Sequence, residues 1–164
     1  MSPAERTVTV SWEDPGEIAA QARAMAGLDF LRAIRDGEIP PAPIQRLLGF
    51  ALTEADEGRA VFSATPEEQH YNPIGVVHGG LAATLLDSAL GASVHSTLAQ
   101  GQGYTTLETK FNLVRSITAE TGTIHAAGHV LHRGRQVATA EARLRDGDDR
   151  LLAHATSTCL VLNG

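Results

Sequence analysis

A single cysteine, Cys159, stands in 164 residues. No disulfide can close within the chain, and no zinc site can be built from cysteines. Lysine is as scarce: Lys110 stands against twelve arginines, so an anionic ligand would be held by guanidinium groups. The net charge of −6 offers no basic face, which excludes non-specific binding of nucleic acid or of an anionic membrane surface. The opening residues, MSPAERTVTVSWEDPGE, carry neither the basic start nor the apolar stretch of a secretion signal. No apolar run reaches the roughly 20 residues that span a bilayer. These absences make a cytoplasmic location the expectation. Missing too are a G-x-S-x-G nucleophile elbow, any internal repeat and any low-complexity tract, and the lone GQG at 101–103 is no phosphate cradle.

What is present is the composition of an ordinary globular chain, 43% hydrophobic and 20% charged. At this length a folded domain hides roughly 70% of the surface its unfolded chain exposes. Residues 1–45 read as an N-terminal helical extension with a proline-rich linker. Within DPGEIAAQARAMAGLDFLRAIRDG, Asp14 caps, Pro15 occupies the first helical position and Glu17 follows three residues after the cap. Ile18, Ala22, Met25, Leu28 and Leu31 then recur at helical spacing, predicting one helix that stops at Gly37. That helix is either a lid or, the reading favoured here, an element that lays its apolar stripe on the main domain. The IPPAPI stretch that follows is stiff, because each proline fixes its own φ and restricts its predecessor.

Residues 46–164 read as α+β. Two short strands flank the turn EADEG, and a long apolar helix is predicted from about Gly79 to Leu98. Four alternating strands follow, joined at HRGR and DGDDR by hairpin turns. A helix apolar on nearly every face must be wrapped, and a curved antiparallel sheet of five to six strands is the only wrapper available.

The stretch NPIGVVHGGLAATLLD, Asn72 to Asp87, concentrates the chemistry. Asp87 is the only ionisable side chain between Gly79 and Val94, and a buried charge is costly unless paired or used. A solvated Asp, or one paired with Arg115, is the structural alternative. At the helix start, His78, Gly79 and Gly80 place bare backbone where N–H groups lack intrahelical partners and the dipole is positive, which suits an oxyanion. Glycines needed only for a tight turn would read the same way. His125 and His129 are four apart, but on a strand roughly 13 Å separates them, too far for one metal. Cys159, in the last strand, has no histidine at triad-like spacing.

The pattern N-x5-HGG-x7-D resembles the hotdog-fold thioesterases of the phenylacetyl-CoA and 4-hydroxybenzoyl-CoA thioesterase group, over roughly residues 46–162. The resemblance implies a curved antiparallel sheet around one helix and hydrolysis of an acyl-CoA thioester. It gives Gly79 the N–H that polarises the thioester carbonyl and Asp87 the role of general base or nucleophile. Asn72 and His78 would orient the thioester. Thr106, or Thr105 if the alignment slips by one, would help hold the attacking water. LVRSIT lacks the proline often found in the family after the Arg position. Gly80 and the arginines Arg115, Arg133 and Arg135 are candidate substrate contacts, the arginines for CoA phosphates, with solvated surface arginines the equal alternative.

Geometry adds a constraint. Gly79 and Asp87 lie eight residues apart, about 12 Å along one helix, so they cannot serve one carbonyl from one chain. Two antiparallel helices across a two-fold axis would bring them together, and the family's sites are similarly shared. The expectation is therefore a homodimer, pairing again into a homotetramer, with acyl-CoA as its small-molecule partner and neither metal nor redox cofactor. A non-catalytic acyl-CoA binding module is the main rival. A hydratase of enoyl thioesters is the other, and Asp87 lies too far along the helix for it.

Overall fold

The computed structural model describes residues 6–163, so Met1–Glu5 of the expected extension and Gly164 lie outside the described residues. Element order begins with α1 (Pro15–Ala24), α2 (Gly27–Arg35), α3 (Pro43–Leu48), β1 (Phe50–Asp56) and β2 (Arg59–Ala64). A long helix follows, α4 (Gly79–His95), and then β3 (Gly103–Leu113), β4 (Ile124–Arg133), β5 (Val137–Asp146) and β6 (Leu151–Leu162). The strands form one six-stranded sheet in the order β1-β2-β4-β5-β6-β3, antiparallel at every pairing. This is the hotdog arrangement, with α4 lying along the concave face.

The sheet can close on the helix because its inner face is built from small residues. Ala126, Ala138, Ala140, Ala142, Ala153 and Ala155 are all buried there. Gly128 is the tightest point, since a Cβ at that position would run into the Ala89 carbonyl. From the helix, Leu85, Leu86, Ala89 and Leu90 are fully enclosed. Burial of leucines of this size stabilises by about 1.5–3 kcal/mol each. The joint DGDDR is held by the Asp146 carboxylate, which accepts from the Asp148 and Arg150 amides at 3.1 and 3.0 Å.

Two expectations are corrected. The helix expected across residues 14–37 is broken at Met25 and Ala26, both extended, although Asp14 caps α1 as read and Gly37 does end α2 with φ 79°. Tertiary contact causes the break. Gly27 N–H donates to the Leu98 carbonyl at 3.0 Å, and a Cβ on Gly27 would collide with the His95 carbonyl. The extension thus docks α2 at the C-terminal end of α4, where Leu31 joins the main core, while Phe30 and Ala33 pack with Ile18 and Ile39 in a smaller cluster. The second correction is the end of α4, which stops at His95 rather than Leu98, its last carbonyls taken up by Ser96, Thr97 and Leu98 amides.

Candidate active site

Six strands do not cover α4 completely. β3 is an edge strand, and beside it Gly80 and Asp87 are exposed, with Ala83, Thr84 and Ser88 half-buried. Asp87 is therefore not buried within the chain, contrary to the reading from its apolar neighbours. The sheet runs out before it reaches that side of the helix. Nor does Asp87 pair with Arg115, whose guanidinium donates to the Leu151 carbonyl at 2.6 Å.

The partners of Asp87 come from β3. Thr109 Oγ1 donates to its Oδ1 at 3.1 Å and Thr106 Oγ1 approaches the same oxygen at 3.5 Å. On a regular strand, residues three apart face opposite sides. Here Thr106 pairs with Cys159 and Glu108 with Thr158, leaving Leu107 as an extra residue in a β-bulge. The bulge turns Thr109 onto the face of Thr106, so two hydroxyls meet one carboxylate. Thr105 pairs with Leu160 on the convex side, so Thr106 is the residue facing the acid. Thr109 had no signal in the sequence short of the bulge itself.

Behind the threonines, Ser157 Oγ donates to the Glu108 carbonyl at 2.8 Å and lies 3.8 Å from Cys159 Sγ. Burial pushes the Cys159 thiol up, hydrogen bonds from Ser157 and Thr106 pull it back, and the Asp87 charge raises it further. The thiol stays protonated and behaves as core. Burial likewise raises the Tyr104 phenol, and the Asp87 charge adds to the effect.

At the start of α4, His78 is the N-cap, and its Nδ1 accepts from Gly80 N–H at 2.8 Å. That bond occupies Nδ1 as acceptor and ties the ring to the first turn of α4. It also removes Gly80 from the two amides expected to be free. Gly79 N–H has no hydrogen-bond partner among the described residues. Space at Gly79 is limited by β3, because a Cβ there would stand 2.6 Å from Leu113 Cδ1. Asn72 shapes the loop ahead, its Oδ1 accepting from Ile74 and Val76 amides at 3.0 and 3.2 Å. Asn72, His78, Gly79 and Arg115 line one cavity of about 270 Å³.

Asp87 does not line that cavity, so within one chain the oxyanion donor and the acid stand apart. The arginines are not gathered either. Arg115 lies beyond the Leu113 end of β3, whereas Arg133 and Arg135 sit at the β4–β5 turn, where Val137 pairs with Leu160 near the opposite end. Arg133 donates to the Gly134 carbonyl, and Arg135 is exposed. His125 and His129 lie in β4 as read, opposite Arg145 and Glu141, and no cluster of three metal-ligating side chains occurs among the described residues.

Comparison with known proteins agrees with this arrangement. Residues 74–153 match the model of the thioesterase superfamily. Acyl-coenzyme A thioesterase 13 of Homo sapiens is 31% identical over 117 residues, covering 70% of this chain and 81% of that protein. The 1,4-dihydroxy-2-naphthoyl-CoA hydrolase of Listeria monocytogenes is 24% identical over 118 residues, covering 72% and 94%. Among solved structures, a phenylacetic acid degradation-related protein from Ralstonia eutropha superposes with a TM-score of 0.71 at 27% identity, covering 79% of this chain and 98% of that one. With its fold, its helix-start amide and its threonine-held acid, the chain belongs to the thioesterase superfamily.

Proposed function

We propose that the protein hydrolyses an acyl-CoA thioester to the free acid and CoA, in a site shared by two copies of the chain. The observation that carries this reading is the Asp87 carboxylate, held by Thr106 and Thr109 on the uncovered side of α4. As general base it takes a proton from water, and the hydroxide adds to the thioester carbon. The oxyanion that forms is met by the Gly79 N–H of the other copy at the positive end of its helix. Collapse restores the carbonyl and expels CoA as thiolate, which then takes up the proton. Direct attack by Asp87, giving an anhydride that water cleaves, uses the same atoms. Neither route calls for a metal or a redox cofactor.

The edge strand supports the pairing. Leu107, Phe111, Leu113 and Val114 are 58, 43, 53 and 47% exposed on or beside β3, whose outer backbone edge is open. Two β3 edges joined antiparallel would set the Gly103 end of one against the Leu113 end of the other. The β4–β5 turn of one copy, with Arg133 and Arg135, would then share an end of the assembly with Arg115 and Gly79 of the other. Three arginines would thus be available to CoA phosphates. Further pairing into a tetramer would use exposed apolar groups elsewhere, such as Val137. A reducing cytoplasm, where a lone thiol such as Cys159 stays free, is the proposed location.

Thiol release from a panel of acyl-CoAs tests the activity. Asp87→Asn should lower kcat by about 10²–10⁴-fold with folding intact, and near-normal turnover would sink the assignment. Binding of acyl-CoA without thiol release by the wild type would favour a binding module. Mixing Asp87→Asn with Gly79→Pro chains tests sharing. Both homodimers should be nearly dead, and random reassortment should restore about a quarter of wild-type activity, because half the dimers are mixed and one of their two sites is intact.

A further inference from the structure

A second cavity, of about 240 Å³, lies between the N-terminal helices and α4. Its walls include Phe30, Leu31 and Ile34 of α2, Leu52 and Phe62 of the sheet, and Ala92 of α4. It adjoins the candidate site directly. Ser88, the neighbour of Asp87 along the helix, and Tyr104, the next inward-facing residue on β3 before Thr106, both line it.

Two polar atoms in this apolar wall have no hydrogen-bond partner among the described residues. Gln45 is only 7% exposed, and its Nε2 is buried with no hydrogen-bond partner among the described residues. The amide cannot be turned round, because its Oε1 is held as acceptor to Ala42 N–H at 3.0 Å at the start of α3. His95 Nε2 is buried and unpartnered in the same way. A buried polar atom without a partner is costly, about 1–3 kcal/mol, so two such atoms in one cavity wall point to a ligand that pairs with them.

Resting on the thioesterase reading of Asp87, we propose that this cavity receives the acyl group, and that the acyl group carries an oxygen at its far end. Gln45 Nε2 donates to that oxygen. A hydroxyl fits best, since it can also bond His95 Nε2, which accepts or donates according to tautomer. Size sets the rest of the class. A dry cavity of roughly 150 Å³ takes a benzene ring, so the space here suits a medium-length alkyl chain or a ring on a short linker. Because Gln45, Phe30, Leu31 and Ile34 all come from the segment ahead of β1, the extension would set substrate choice and leave the chemistry to α4 and β3.

The test compares kcat/KM for ω-hydroxyacyl-CoA against the plain acyl-CoA at six, eight and ten carbons. Wild type should favour the hydroxylated form at its best length by about ten-fold, the equivalent of one satisfied buried group. Gln45→Leu, and Gln45→Met as a second variant of similar volume, should bring that ratio to about one, mainly by improving the plain chain. Both remove the orphan donor but also the Oε1 that accepts from Ala42 N–H, so the two effects oppose and the melting temperature should change little. Ile34→Trp should move the optimum to shorter chains. A wild-type ratio near one, a ratio indifferent to Gln45, or a length profile indifferent to Ile34→Trp would each overturn the proposal. Calorimetric binding of 8-hydroxyoctanoate and octanoate to the full chain reads the cavity without chemistry. Thioesters cleaved with no such preference would defeat this inference alone. A Gln45-dependent preference in binding, with no thioester cleaved, would uphold the cavity and defeat the catalytic reading.

Discussion

Thr109 and Asp87 are separated by 22 residues in sequence and 3.1 Å in space, and the carboxylate depends on that contact for its aim. Thr109→Val keeps the shape and deletes the hydroxyl, so kcat should fall about ten-fold while KM changes little. Thr105→Val, on the convex side, should leave turnover within about two-fold. Steady-state kinetics of the two variants side by side makes the check. Asp87 and Gly79 stood out as candidates in the sequence because an isolated acid in an apolar helix and a bare helix start are local features. Thr109 was not, because only the bulge at Leu107 puts it on the right face, and a bulge leaves no mark on an alternating pattern. His95 gives a pH dependence. Burial lowers it below its ordinary 6.5, so as pH falls through that value the unfolded chain takes up a proton that the folded chain refuses. Its contribution is complete above the unfolded pKa and lost below it. The urea midpoint should therefore fall between pH 7.5 and 5.5, and His95→Gln should flatten that slope.

At the scale of elements, the docking of α2 on α4 depends on a residue with no side chain. Gly27→Ala would drive a methyl group into the His95 carbonyl, and the backbone must shift to admit it. The expected cost is about 1–3 kcal/mol, read as a lower denaturation midpoint, with thiol release from short acyl-CoAs less affected than from long ones. Helical spacing from Ile18 to Leu31 runs straight through this point, and so periodicity predicted a single helix. What broke it is a contact with residues about seventy positions away, which no local window contains. The strands were easier to read. Their alternation and hairpin turns placed β4 to β6 within a few residues, because each of these strands must hide one face on α4 and show the other.

At the scale of the whole molecule, the uncovered side of α4 is the central fact. Sequence patterning shows that a helix needs wrapping but not where the wrapping stops, so Asp87 read as buried. The stop falls at β3, and β3 is also where exposed leucines and a phenylalanine collect. Leu107→Asp places a charge in that strip. On the two-chain reading it should yield a folded monomer by sedimentation, with native far-ultraviolet circular dichroism and almost no thiol release. A monomer retaining full turnover would show that one chain is enough.

Leu113 packs against the backbone at Gly79, so the edge that would join two copies is also a wall of the helix start that would bind the oxyanion. Assembly and rate would then follow one mass-action law. Diluting the protein below its dimer dissociation constant should make specific activity fall in proportion to concentration, and total rate fall as its square. Adding back inactive Asp87→Asn chains at constant dilute wild type would raise the rate, since each recruited chain brings an intact Gly79 to a waiting Asp87.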